Sequence, residues 1–198
     1  MVLYLTNIQC EIREVSLRNK PSAMLDISPK GTVPVMLLDN GTIIEESLDL
    51  IDWALEQRRI FDGNLSDDQE LFTQKTIKLF DTDFKFNLDR YKYSTRYVDV
   101  NEEVHKNTCL KILRELDKNL IGSFWFFGDE INKLDISILP FIRQFRLANI
   151  KWFDDLDDIK NIKNWLNIFL KSDLLKSVME PYEPWFDLDE PIYFPKVL

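Results

Sequence analysis

A carboxylate and a hydroxyl stand side by side at Glu46–Ser47, just where a helical run begins, and Val33 precedes a proline a short way upstream. Glu46–Ser47 offers two side chains and the free amides of a helix start, a set that suits an amino-acid head group carrying one positive and one negative charge. Val33–Pro34 falls where a loop enters a strand. With a cis bond there, the Val33 backbone turns outward and can pair with a peptide-like ligand as though it were another strand. Lys20, at the mouth of a short helix, adds a cation. Each residue also has a plainer use: Glu and Ser cap helices, and a lone lysine is often a solvated surface charge. The two motifs together favour a site.

Other chemistries are poorly supplied. His105 is the only histidine, which removes catalytic triads and multi-histidine metal sites, and no metal site is expected. Cys10 and Cys109 show no metal-ligand spacing and no disulfide framework. Cys10 lies just before a strand, away from any helix N-terminus that would acidify a thiol, and Cys109 sits mid-helix like a small hydrophobe. Phe72, Phe80, Phe84, Tyr91 and Tyr93 could line an apolar pocket, although aromatics at helical spacing are more often core. Arg90 and Arg143 read as surface charges.

The elements that must position these groups fall into two regions. In the first, Glu11–Val15 alternates as a strand, and Pro21 opens a short helix that Ser28–Pro29 stops. Val33–Leu38 and Thr42–Glu45 flank Asp39-Asn40-Gly41, a hairpin signal, and Ser47–Glu56 is apolar at helical spacing. After a polar stretch at 58–66, everything reads helical. Asp67–Tyr93 fits one long amphipathic helix and Asn101–Ile121 another, ended by Gly122. Asn132 and Asp135 have capping-box spacing at the head of a helix that contains Pro140, which makes Asp135 structural. Further helices are expected over 159–170 and 172–179, and the proline-rich tail from Glu180 is expected to lie extended over the surface.

With 198 residues, 45% hydrophobic and 14 Phe, the chain can bury a substantial core. A net charge of −9 argues against non-specific nucleic-acid binding, and no apolar run approaches a membrane span. A cytoplasmic protein is expected.

An ordered series resembles the glutathione transferase family across nearly the whole chain, with omega- and tau-like motifs. It comprises Asn19-Lys20-Pro21, Ile27–Pro34, Glu45-Glu46-Ser47-Leu48-Asp49, Leu88–Tyr93 and Asn132–Phe145. The resemblance implies a thioredoxin-like α/β domain over 1–57, a linker over 58–66 and an all-α helical-bundle domain over 67–198. It implies glutathione as co-substrate, with Lys20 on the glycine carboxylate and Val33, before Pro34, pairing with the cysteinyl unit. Ser47 would hold the γ-glutamyl carboxylate, with Glu46 near the α-amine. An electrophile or mixed disulfide would be the acceptor, and a homodimer the assembly. The family's opening strand and catalytic loop have no counterpart, because Met1–Leu5 matches the later part of the first helix. A start placed at an internal methionine, or a true short form with a rearranged sheet, would each account for this. Either way no catalytic residue is assigned, and impaired turnover is expected. The alternative is a non-catalytic interaction scaffold of the same fold.

Overall fold

The computed structural model describes residues 1–61, 65–120 and 122–196. Part of the expected linker, at 62–64, and the expected helix end at Ile121 lie outside the described residues. By backbone proximity the chain forms two compact units, Met1–Ile60 with Asp173–Leu198, and Phe61–Ser172.

The first unit opens with α1 (Val2–Leu5) and β1 (Cys10–Ile12), followed by α2 (Ser22–Ile27). Pro21 is the N-cap of α2 and Ser28 its C-cap, as the Pro and Ser-Pro signals predict. The hairpin β2 (Met36–Leu37) and β3 (Ile43–Ile44) follows, with Met36 opposite Ile44. Its turn is set by residue type: Gly41 takes φ +85°, Asn40 accepts from the Thr42 amide at 2.9 Å, and the Leu38 amide reaches Thr42 O at 2.8 Å. Next comes α3 (Ser47–Gln57), which buries Ile51 and Ala54. Beyond its end, Arg58 donates to Thr6 O and Asn7 O at 3.0 and 3.1 Å, tying α3 to the end of α1.

The C-terminal segment is largely exposed and extended from Glu180, as expected of a surface tail, but it groups with the first unit and not with the expected helical domain through 198. After α10 (Asp173–Val178), residues Ile192–Phe194 form β4 and pair antiparallel with β1, Cys10 opposite Phe194 and Ile12 opposite Ile192. Pro191 and Pro195 flank β4 and cannot donate to a ladder, which holds the pairing to three residues. That also explains why β1 covers Cys10–Ile12, whereas alternation predicts Glu11–Val15. The Trp185 amide donates to Glu14 O at 2.8 Å, and Arg13 lies 4.5 Å over the Trp185 ring. Among the described residues β1–β4 and β2–β3 are separate two-stranded sheets.

In the second unit, α4 (Asp67–Leu79) starts from a Ser66–Gln69 capping box and ends in a π-helical turn, Phe80–Phe84, before α5 (Lys85–Lys92). The single long helix expected over 67–93 is therefore interrupted. The remaining helices are α6 (Glu102–Asp117), capped by Asn101, then α7 (Lys133–Ala148), α8 (Ile150–Asp155) and α9 (Lys160–Lys171). The Asn132–Asp135 capping box forms, and Pro140 lies inside α7. Nothing in the sequence reading anticipates α8. Phe80, Phe84, Leu113, Leu139, Phe145, Phe153 and Trp165 are almost wholly buried and make up the core. No described helix is long and apolar enough to cross a membrane.

Candidate functional site

The helix α3 begins with Glu46 as N-cap at φ −115°, ψ 140°, and its first intrahelical bond runs from the Leu50 amide to Glu46 O at 3.1 Å. Ser47, Leu48 and Asp49 therefore have amides with no partner within the helix. Neither Glu46 nor Ser47 is spent on capping, since the cap makes no side-chain hydrogen bond, and both side chains are exposed. A hydroxyl, a carboxylate and a helix N-terminus face solvent together, an arrangement able to bind an anion through N–H donors and the positive helix end.

The preceding loop delivers Val33. The Val33–Pro34 bond is cis, Val33 is 53% exposed, and no hydrogen bond engages its backbone among the described residues. An exposed, unpaired backbone edge of this kind can add an extended ligand.

Residues beyond those first singled out bring this loop to the helix start. Buried Ser28 donates to Glu45 Oε1 at 2.5 Å, and Lys30 bridges Glu45 at 3.6 Å and Glu46 at 3.5 Å. The Ser28 hydrogen bond, helped by Lys30, holds the Glu45 carboxyl below its ordinary range. Lys20 belongs to the same assembly. Gly31 has φ +59°, and a Cβ there would lie 3.0 Å from Lys20 Nζ and 3.1 Å from its Cδ, so the lysine side chain runs across the glycine. Lys20 thus packs on the loop at Gly31, and the same loop is tied to the start of α3 through Ser28–Glu45 and Lys30–Glu46. The meeting of Ser28 and Lys30 with Glu45 across the hairpin is tertiary and has no local signature.

The thiols stand apart from this chemistry. Burial pushes the thiol of Cys10, whose Sγ lies 3.6 Å from Phe194 O, above its ordinary range, and pushes Cys109 up to about 12. Neither is a ready thiolate at neutral pH.

The aromatic cluster is mostly core. Phe80 and Phe84 are 0% exposed and stacked at 4.4 Å, and Tyr91 is buried enough that its hydroxyl is pushed up to about 12. Phe72 packs on Phe126 and Phe127 instead. Tyr93 lines a cavity of about 200 Å³ between α5 and α7 that Leu88, Pro140, Phe141 and Gln144 also line. A larger groove of about 520 Å³ borders Leu120, Phe124 and Trp165, with non-titrating carboxamides at Asn161, Asn164 and Asn167. Arg90 stacks on Phe86 at 3.4 Å, a surface arrangement.

Residues 1–60 match the family model described as Glutathione S-transferase, N-terminal domain, and residues 98–167 that of its C-terminal domain. Rat glutathione S-transferase omega-1 is 28% identical over 172 residues, which are 84% of this chain and 68% of that one. A glutathione transferase family member from Pseudomonas fluorescens Pf-5, solved with two glutathione bound, is similar at TM-score 0.74 and 17% identity, covering 88% of this chain and 83% of that one. The glutathione transferase from Pseudomonas putida, solved with one glutathione disulfide bound per subunit, gives 0.71 at 20% identity, over 88% and 82%. The architecture is that of these proteins, a small thioredoxin-like α/β part and a helical part.

Proposed function

This chain belongs to the glutathione transferase family, and we propose on that footing that its first unit binds glutathione for transfer to an electrophile or exchange with a mixed disulfide. The observation that carries the reading is the convergence of an unpaired Val33 backbone with the uncapped start of α3 at Glu46–Ser47. Val33 N–H and C=O would pair with the cysteinyl unit as a strand neighbour. The Ser47 hydroxyl and the first α3 amides would hold the γ-glutamyl carboxylate, with Glu46 on the α-amine and Lys20 on the glycine carboxylate. The relatives solved with glutathione or its disulfide support this ligand.

In conjugation the glutathione sulfur loses its proton to solvent, forms a bond to the acceptor carbon and displaces a leaving group. In exchange it attacks a mixed disulfide, forming glutathione disulfide and releasing the other thiol. Positioning and the helix end supply what this chain contributes. Cys10 and Cys109 take no part. The same reading includes a cytoplasmic homodimer, for which sedimentation equilibrium is the measure, and domain limits near 57 and 67.

Titration calorimetry with glutathione tests the proposal. Charge-assisted hydrogen bonds contribute about 1.5–3 kcal/mol each, so S47A should weaken binding by about tenfold or more. G31A should also weaken it, because its Cβ displaces Lys20. Binding without conjugation or thiol transfer would fit impaired turnover. Absence of binding would leave the scaffold reading.

A further inference from the structure

The cavity between α5 and α7 has a charge that the rest of the chain would not lead one to expect. Its α5 wall is Lys85, Leu88, Asp89 and Lys92, spaced as one helix face, and Phe141 is its α7 floor. Phe141 is pinned from behind by Phe80, ring centroids 6.0 Å apart, so the floor is a fixed aromatic surface. Lys85 is neutralised, its Nζ 2.9 Å from Asp89 Oδ2. Lys92 is not. Its ammonium donates to the neutral Gln144 carboxamide oxygen, lies 5.0 Å over the Tyr93 ring and forms no ion pair among the described residues. One positive charge is left uncompensated beside an apolar floor, in a chain of net charge −9.

Size narrows the occupant. A dry cavity of about 150 Å³ takes a benzene ring, and drug-sized ligands need about 300 Å³ or more. At about 200 Å³ this one suits a single ring with a small substituent. The ammonium hydrogens not used by Gln144, together with the Gln144 amide N–H groups, are donors matched to the two oxygens of a carboxylate.

We infer that this cavity binds a single-ring aryl carboxylate, with the ring on Phe141 and the carboxylate on Lys92 and Gln144.

The test is made on the full chain, with benzoate and benzamide titrated by NMR without glutathione. Benzoate should bind about tenfold more tightly. K92Q should abolish that preference and K92R retain it. Equal binding of the two probes by the unaltered chain, or an unchanged preference in a folded K92Q, overturns the inference. Should K92Q fail to fold, the benzoate–benzamide comparison on the unaltered chain still decides.

Discussion

Asp135 accepts hydrogen bonds from the Phe126 amide at 3.1 Å, the Asn132 amide at 2.9 Å and Trp165 Nε1 at 2.7 Å, and it has no exposed surface. Burial outweighs those donors and pushes its carboxyl up to about 7 from 3.8. The folded chain therefore keeps a proton between about pH 4 and 7 that the unfolded chain has released. Stability from this group is present in full below pH 4 and is lost as pH rises to about 7. Urea midpoints followed by Trp165 fluorescence should fall across that window. D135N, neutral throughout, should remove this component of the slope while costing about 1–3 kcal/mol, because its amide nitrogen would face the Asn132 N–H. Equal slopes in the two proteins would refute the account. Sequence made half of this visible. The Asn132–Asp135 spacing declares the capping box, but Trp165 arrives from another helix and leaves no trace in the local pattern. The same limit applies at the candidate site, where Glu46–Ser47 and Val33–Pro34 are local motifs but the Ser28–Glu45–Lys30 ties are not.

At the scale of an element, the helical run from Asp67 to Lys92 is interrupted by the π turn Phe80–Phe84. The buried positions Thr73, Thr76, Phe80, Phe84, Leu88 and Tyr91 step by three, then by four three times, then by three. Steps of four overshoot a turn by about 40° and steps of three fall short by about 60°, so this spacing keeps all six within one face of a regular helix. The apolar period therefore reads as continuous helix, and the interruption leaves no trace in it. A π turn holds one residue more than an α turn. Deleting exposed Thr82 should restore alternating steps of four and three, keeping Leu88 and Tyr91 buried at a cost within about 1 kcal/mol. Deleting exposed Lys111 from regular α6 has no such slack. It rotates the downstream face by about 100° and displaces Leu113 and Leu116 from the core. Thermal melts by circular dichroism should show near-native stability for the first deletion and loss of the cooperative transition for the second. The reverse order would contradict this account of the turn.

Across the whole molecule, core quality divides the two units. The largest side chains with less than 2% exposure, among them Trp165, Phe80, Phe84, Phe145 and Phe169, all lie within Phe61–Ser172. The first unit buries smaller or less completely covered groups, Val2 at 4%, Ile44 at 8%, Ile51 at 8% and Met24 at 9%, around two separate two-stranded sheets. Such sheets have little independent stability. This unit also depends on β4 closing on β1 from the far end of the chain, a pairing too remote for any sequence window to announce. Unfolding should therefore proceed in two steps, the first unit yielding at lower urea. Trp53 and Trp185 belong to that unit, whereas Trp125, Trp152 and Trp165 belong to the other, so paired tryptophan-to-phenylalanine variants can follow each separately. A ligand stabilises what it binds, by about 2.7 kcal/mol at a hundred times its dissociation constant. Saturating glutathione should move the first transition upward and leave the second in place. One coincident transition for all five tryptophans would refute the difference in core strength, and a glutathione shift confined to the second step would place the ligand outside the unit that carries Val33 and Ser47.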